Sequence, residues 1–198
     1  NEFSGESTMM MVSESMKIAC LTSHIPLSRV PKMITQELII KKIKNIHSSL
    51  IKDFKIIKPK IAVMGLNPHA GENGLMGEEE LDVIIPAIKQ LKSDHNILSF
   101  GPYSADSFFT RRNLIKFDGI LSMYHDQGLT PFKTLSFSEG VNYTSGLSIV
   151  RTSPAHGTAF DIAGQNKANL EPTLNSFKIA LTMAKNKNTN DKNKKHNN

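Results

Sequence analysis

The stretch FDGILSMYHDQG, residues 117–128, carries the clearest sign of the fold, because an almost continuous apolar run ends abruptly in polar side chains. Three further stretches share this form: KIACLT at 17–22, KIAVMGL at 60–66 and GLSIVRTS at 146–153. Apolar runs of this length are typical of strands that are covered on both faces, as in a parallel or mixed sheet. We therefore predict four strands of an α/β sheet.

Helical patterns lie between the predicted strands. Apolar residues recur at spacings of three and four through residues 34–50, which is typical of an amphipathic helix. Residues 77–92 begin with acidic residues and end with Lys, as the helix dipole favours, although Pro86 should kink or divide this helix. Ser104 is suited to cap a short helix, and residues 172–185 form the last one. The alternation predicts a three-layer α/β/α fold with a mixed or mostly parallel sheet.

Composition argues against several classes of protein. No window reaches the roughly 18 apolar residues of a membrane-spanning helix, and no secretory signal is expected at the N-terminus. The single Cys20 excludes an internal disulfide and favours the reducing cytoplasm. The net charge is +6, but residues 186–198 contribute four Lys and one Asp, and we expect this Asn/Lys-rich tail to be disordered. The remaining charge is too small to indicate nucleic-acid binding.

Histidines follow the first three predicted strands at the point where each strand ends. They are His24, His69 and His125, and the fourth predicted run has Arg151 near its end and is followed by His156. Because ligands of open α/β sheets bind at the carboxyl ends of strands, we predict a shared site for Zn²⁺ or a related divalent ion. No local zinc motif is present, so each histidine could instead be structural. We interpret His156 as a hydrogen-bonding residue rather than a fourth ligand.

Further polar residues suit the binding of a small anion and acid–base chemistry. Lys133, Asn142 and Arg151 offer a cation, an amide and a guanidinium, which fit a phosphate group, although each could be an ordinary surface or turn residue. Asp106 and Asp126 could be partners of the metal ligands or proton acceptors, while Asp106 also suits the first turn of a helix. No G-x-G-x-x-G stretch is present, so a nicotinamide cofactor would need another fold.

Five segments, in their order and spacing, resemble the family of 4-hydroxythreonine-4-phosphate dehydrogenases from about residue 9 to 184. The segments are TSHIPLSRVP, IAVMGLNPHAGENGLMGEEE, GPYSADSFF, MYHDQGLTPFK and GVNYTSGLSIVRTSPAHGTAFDIAG. GLNPHAGE and YHDQG are the most specific of these motifs. The resemblance implies a fold like that of isocitrate and isopropylmalate dehydrogenases.

The resemblance also implies a reaction. Family members oxidise and decarboxylate 4-phosphooxy-L-threonine with NAD or NADP, which gives 3-amino-2-oxopropyl phosphate for the synthesis of pyridoxal phosphate, the vitamin B6 cofactor. By motif match, His24, His69 and His125 correspond to the ligands of a divalent metal, which is zinc, cobalt or magnesium. The family is a cytoplasmic homodimer with active sites shared between the chains, and neither nucleic acid nor membrane is an expected partner.

The remaining site residues follow from the same match. Lys133, Asn142 and Arg151 correspond to contacts with the phosphorylated amino-acid substrate. We expect Asp106, Asp126 and Lys133 to take part in catalysis.

Family members carry a further lobe before the matched region, with a His-Thr pair that contacts the substrate. Residues 1–185 therefore correspond to the metal- and substrate-binding portion, residues 186–198 to a tail, and this portion alone is expected to be a poor catalyst. Ser148 replaces a usual Pro, which looks tolerable. Two alternatives remain: a related dehydrogenase for 4-phospho-threonate or a cyclic diol acid, and a non-catalytic metal- or phosphate-binding fragment.

Overall fold

The protein, seen in a computed structural model that describes residues 7–155, 157 and 160–195, is built around a seven-stranded mixed sheet. The strands are β1 Thr8–Val12, β2 Lys17–Cys20, β3 Lys60–Met64, β4 Leu98–Tyr103, β5 Gly119–Ser122, β6 Val141–Ser145 and β7 Thr152–Pro154. The helices are α1 Val30–Met33, α2 Gln36–Lys52, α3 Ile85–His95, α4 Ala105–Phe108, α5 Arg111–Leu114, α6 His125–Ser136 and α7 Glu171–Lys195.

The sheet has a parallel half and an antiparallel half. The strand order is β4-β3-β5-β2-β1-β6-β7. The first four strands of this order pair in parallel, whereas β1 runs antiparallel to β2 and β6, and β6 and β7 form an antiparallel pair. The prediction of a mixed sheet is confirmed.

The two faces of the sheet are covered by different helices, and β3 shows how. Ile61 and Val63 lie in one apolar cluster with residues of α2 and α3. Ala62 and Met64, which alternate with them along the strand, lie in a second cluster with residues of α4, α5 and α6. All four are fully buried, as expected of a strand with no solvent-facing side. The three-layer α/β/α fold follows from this alternation.

The predicted helices are confirmed with shifted ends. Helix α2 begins after Thr35, whose hydroxyl accepts a hydrogen bond from the N–H of Leu38 at 3.2 Å. The predicted helix at 77–92 is divided into a π-helical turn, Glu80–Ile84, and helix α3. Pro86 lies in the first turn of α3 and has no N–H to donate, and the carbonyl oxygen of Asp82, four residues earlier, accepts a hydrogen bond from the side-chain amide of Gln36 at 3.2 Å instead.

One predicted strand is wrong. The run at 146–153 is not a continuous strand, because Gly146 has a φ of 81° and the chain turns there between β6 and the antiparallel β7. Ile149, in the middle of that run, is more than half exposed. Strands β1, β4 and β6 were not predicted.

The last helix departs from the expected domain boundary. Its backbone is helical through Lys195, so residues 186–195 are helical where composition favours disorder. The division of function at residue 185 stays a prediction. None of the helices in the described part of the chain is both long enough and apolar enough to cross a membrane.

Candidate active site

Four chemically active side chains follow the four parallel strands at one edge of the sheet. In sheet order, Asp106 follows β4, His69 follows β3, His125 follows β5 and His24 follows β2. Because all four strands run in the same direction, their carboxyl ends lie side by side. The three histidines therefore follow strands whose carboxyl ends share one edge of the sheet.

The pairing of β2 with β5 brings His24 next to His125. The pairing continues beyond the strands, because the N–H and the hydroxyl of Thr22 donate to the carbonyl oxygen of Met123 at 3.2 and 2.8 Å. The chain therefore leaves both strands at neighbouring positions on the edge of the sheet. The centroids of the His24 and His125 rings are 5.7 Å apart. The side chains that the sequence placed 101 positions apart thus lie next to each other.

Asp126 sets the orientation of the His125 ring. Its Oδ1 lies 2.7 Å from Nδ1 of His125, and the two side chains are 81% and 35% exposed. In the neutral imidazole, a proton on Nδ1 leaves the lone pair of Nε2 free to bind a metal. Asp126 is therefore a partner of a candidate ligand, which is one of the two roles that the sequence left open.

His69 lies in an unusual turn after β3. Five consecutive residues, from His69 to Asn73, have φ values between 44° and 78°. We call residues 69–73 the left-handed turn. Only Gly71 among them is free of the steric cost that an L-residue carries there, about 1–2 kcal/mol each. Such strain persists only where surrounding contacts hold it.

Asp106 lies at the start of α4, close to the left-handed turn. The hydroxyl of Ser104 donates a hydrogen bond to its carboxylate. This bond, with a smaller contribution from the nearby His69, lowers the pKa of Asp106 below its usual value. Because its pKa is lowered, the exposed carboxylate of Asp106 is charged at neutral pH.

Two open cavities meet at Tyr124 and Asp126. One, of about 290 Å³, is also lined by His24 and His125. The other, of about 480 Å³, is also lined by Asp106. The structure thus brings two of the predicted ligands and both predicted aspartates around one short segment.

The three predicted substrate residues lie elsewhere. Lys133 is exposed on α6, and Arg151 donates a hydrogen bond from Nη1 to the hydroxyl of Thr144 at 2.8 Å. Asn142 pairs with Met11 in the sheet, and its buried Oδ1 has no hydrogen-bond partner. None of the three lines either cavity.

The donor set fits a metal ion in part. His24 and His125 are two adjacent imidazoles, which suit Zn²⁺ or Co²⁺. No group of three or more His, Cys, Asp or Glu side chains that could hold a metal is found within residues 7–155, 157 and 160–195. The structure therefore does not join His69 to the other two histidines within one chain. His156 lies outside the described residues.

Two residues that sequence reasoning missed connect the elements of the site. Gln127 accepts a hydrogen bond from the N–H of Met123 and donates one to the carbonyl oxygen of Gly65, both at 2.7 Å. Glu80, read from the sequence as a first-turn acid of a helix, is buried and binds the backbone before the left-handed turn. Gln127 belongs to the motif YHDQG, and this motif could have indicated its importance. No motif in the sequence indicated a role for Glu80.

Comparisons with known proteins agree on one family. The model of the family described as "Pyridoxal phosphate biosynthetic protein PdxA" matches residues 1–180. A 4-hydroxythreonine-4-phosphate dehydrogenase of Bacteroides thetaiotaomicron is 47% identical over 92% of this chain and 50% of its own length. One of Aquifex aeolicus is 48% identical over 86% of this chain and 52% of its own. The chain thus spans about half the length of the curated relatives it matches.

Solved structures give the same result. The crystal structure of 4-hydroxythreonine-4-phosphate dehydrogenase from Klebsiella pneumoniae superimposes with a TM-score of 0.79 at 37% identity, covering 90% of this chain and 54% of that one. A terephthalate 1,2-cis-dihydrodiol dehydrogenase from Burkholderia xenovorans gives a TM-score of 0.70 at 28% identity, covering 89% and 55%.

Proposed function

The chain belongs to the PdxA family of pyridoxal phosphate biosynthetic proteins, and we propose that it is the metal- and substrate-binding portion of a 4-hydroxythreonine-4-phosphate dehydrogenase. The substrate is 4-phosphooxy-L-threonine, and the product is 3-amino-2-oxopropyl phosphate. The observation that carries this proposal is the adjacent pair His24 and His125, with Asp126 bound to the second ring, at the carboxyl edge of a sheet of this family's fold.

The reaction needs a metal and a nicotinamide cofactor that the protein must bind. In a site shared between two chains, His24, His125 and His69 would hold a divalent ion, which is zinc, cobalt or magnesium. Bound there, the ion would supply Lewis-acid polarisation of the substrate's carbinol oxygen. Bound NAD or NADP would supply the acceptor for the hydride of the carbinol carbon.

The side chains of this chain supply orientation and charge. Asp126 keeps Nε2 of His125 free by binding Nδ1. Asp106 and Asp126 are the carboxylates available to the carbinol proton. The lowered pKa of Asp106 makes it a weaker base than an ordinary aspartate, so balancing positive charge near His69 suits it better.

Lys133, Asn142 and Arg151 bind the phosphate and carboxylate groups of the substrate in this proposal. The resulting β-keto acid loses CO₂, and a proton is returned to the carbon that carried the carboxylate. Lys133 and Arg151 offset the negative charge that develops on oxygen during this step.

The protein acts as a cytoplasmic homodimer with active sites shared between two chains. The family resemblance supports this assembly. Cys20, which is free and buried, is compatible with a reducing compartment.

Turnover by the intact protein tests the proposed function. NAD(P)⁺ reduction should depend on 4-phosphooxy-L-threonine and on added Zn²⁺, Co²⁺ or Mg²⁺. Assays with 4-phospho-threonate and with a cyclic diol acid run beside it, because a cis-dihydrodiol dehydrogenase shares the fold at 28% identity. Preference for either competing substrate would replace the proposed function with that of a related dehydrogenase, and metal binding without turnover would indicate a non-catalytic protein.

A further inference from the structure

Glu80 is a buried carboxylate that binds the chain just before the left-handed turn. It is only 2% exposed. Its Oε1 accepts hydrogen bonds from the backbone N–H groups of Leu66 and Asn67 at 2.7 and 2.8 Å. Its Oε2 accepts one from the side-chain amide of Asn67 at 2.9 Å. A buried carboxylate carries a large desolvation cost, and these three donors offset it.

The left-handed turn closes tightly around this carboxylate. A Cβ added at Gly71 would lie 2.6 Å from Oε2 of Glu80, and one added at Gly65 would lie 3.0 Å from Oε1. The carboxylate therefore leaves no room for a Cβ at Gly71, whereas at Gly65 the nearest atom is Cα of Ala70, 2.9 Å from the added Cβ. Glu80, Leu66 and Asn67 with these two glycines form a unit that we call the Glu80 clamp.

Glu80 is the first residue of the π-helical turn. The N–H of Ile85 donates to the carbonyl oxygen of Glu80, five residues earlier, instead of the four of an α-helix. Turns of this kind add one residue to a helix and occur often at functional sites. Here the irregularity lies where Glu80 faces the left-handed turn.

The clamp is also connected to the helix that carries His125. Gly65, at its edge, accepts the hydrogen bond from the side chain of Gln127, two residues after His125. A chain of contacts thus runs from Glu80 through the start of the turn to α6. His69 lies between the two parts of the chain that Glu80 contacts, Leu66 and Asn67 before it and Gly71 after it.

We propose that Glu80 is a positioning residue that holds His69 in the strained geometry needed to complete a metal site shared between two chains, since His69 does not join His24 and His125 within the described part of one chain. This inference rests on the proposed function, because it takes His69 as a ligand. It adds a residue that touches neither substrate, cofactor nor metal. Without the clamp, the L-residues of the turn would relax toward ordinary backbone angles and move the His69 ring.

A double-mutant cycle in the intact protein tests the inference. The variants are Glu80→Gln, His69→Ala and the double variant, with Glu78→Gln as the control because Glu78 is an exposed neighbour with the same change of charge. The measurements are Co²⁺ affinity, the visible absorption spectrum of bound Co²⁺, and the urea midpoint of unfolding. We expect Glu80→Gln to weaken Co²⁺ binding by about 10- to 100-fold, the range for residues that orient ligands.

The cycle separates positioning from general stability. If Glu80→Gln only lowers stability, its effect should be the same in the wild-type and His69→Ala backgrounds. If Glu80 positions His69, Glu80→Gln should weaken Co²⁺ binding only while His69 is present. Wild-type affinity and spectrum in Glu80→Gln would overturn the inference, and so would an equal loss in the His69→Ala background. Unchanged binding in His69→Ala would overturn the ligand assignment itself, and the inference with it.

A milder variant covers the case in which Glu80→Gln does not fold. Asn67→Ala removes the side-chain donor to Oε2 and keeps the two backbone donors. It should weaken Co²⁺ binding in the same direction, again only when His69 is present. Unaltered binding in Asn67→Ala with a folded protein would count against the clamp.

Discussion

At the scale of single residues, one hydrogen bond decides what a histidine can do. The bond from Nδ1 of His125 to Asp126 joins two side chains that are adjacent in sequence. The motif YHDQG indicated that both residues are chemically important, but not that one orients the other. Side-chain torsions determine that relation, and no residue pattern reports them.

Asp126→Asn should weaken the metal site without unfolding the protein. The amide can present its N–H₂ to Nδ1 and favour the tautomer with the proton on Nε2, which removes the free lone pair. We expect metal affinity to fall by about 10- to 100-fold in the intact protein, measured by competition with a chelator. Asp94→Asn, an exposed change on α3, is the control, and equal affinity in both variants would show that Asp126 does not orient His125.

Tyr143→Phe should destabilise the fold away from the histidines. The hydroxyl of the fully buried Tyr143 donates to Oδ2 of the buried Asp53 at 2.6 Å, and Ser49 donates to the same atom at 2.5 Å. Removing one donor leaves a buried carboxylate with less compensation, which costs about 1–3 kcal/mol in the free energy of unfolding. Urea denaturation measures it, and a change below about 0.5 kcal/mol would contradict this account.

Tyr143 should also make the free energy of unfolding depend on pH. Burial, with the hydrogen bond to Asp53 and its charge, raises the pKa of Tyr143 above its usual value. A group with a raised folded pKa contributes stability that is complete below the unfolded pKa, about 10, and is lost as pH rises through the folded pKa. The free energy of unfolding should therefore fall above about pH 10, and less steeply in Tyr143→Phe. Parallel slopes for the two proteins would contradict the assignment.

At the scale of elements, apolar runs predicted three of the four parallel strands, but they missed β4 and the largely buried strands β1 and β6. Residues 17–22, 60–66 and 117–124 became β2, β3 and β5 because each is covered on both faces. Strand β6 has the sequence VNYTS, whose polar residues interrupt any apolar run. Residues 146–153 have the same apolar pattern, but the chain turns at Gly146. The turn lets β7 pair antiparallel with β6, and that pairing depends on tertiary contacts rather than on the local sequence.

Helix α6 was not predicted, because it contains both Gly128 and Pro131, which disfavour a helix. The glycine is needed for close approach to the sheet, since a Cβ there would lie 2.4 Å from the hydroxyl oxygen of Ser122 and 3.2 Å from Sγ of Cys20. Helix propensity disfavours this residue, and packing against β5 and β2 overrides it.

Gly128→Ala should therefore destabilise, although Gly→Ala inside a helix ordinarily stabilises by up to about 1 kcal/mol. Overpacking against Ser122 should cost about 1–3 kcal/mol in the free energy of unfolding. The same change in a Ser122→Ala background should cost less, because the closest atom is gone. Thermal or urea unfolding of the four proteins measures the coupling, and additive effects would rule out the contact.

At the scale of the whole molecule, the class of fold and the edge that carries the histidines could be predicted. Both depend on the repeated pattern of an apolar strand followed by polar residues, which sequence displays directly. The separation of His69 from the His24 and His125 pair could not be predicted, because His69 lies in the left-handed turn, whose backbone angles no residue pattern displays. Lys133, Asn142 and Arg151 were matched by motif alone, and they lie outside both cavities.

Mixed dimers test whether the site is shared between chains. We expect a mixture of intact His125→Ala and Arg151→Ala proteins, each inactive, to recover about a quarter of wild-type turnover, because half of the dimers are mixed and each of those has one intact site. No recovery after subunit exchange would place both residues in the site of one chain. Residues 1–198 alone, which span about half of the relatives' length, should turn over poorly.

Metal content of the intact protein tests the central claim most directly. Elemental analysis of the purified protein after dialysis should find about one divalent ion per chain in the wild type. His24→Ala, His69→Ala and His125→Ala should each lose it, whereas His95→Ala, an exposed change at the end of α3, should keep it. Full metal content in any of the three variants would contradict the assignment of that histidine, and full content in all three would contradict a metal site at this edge of the sheet.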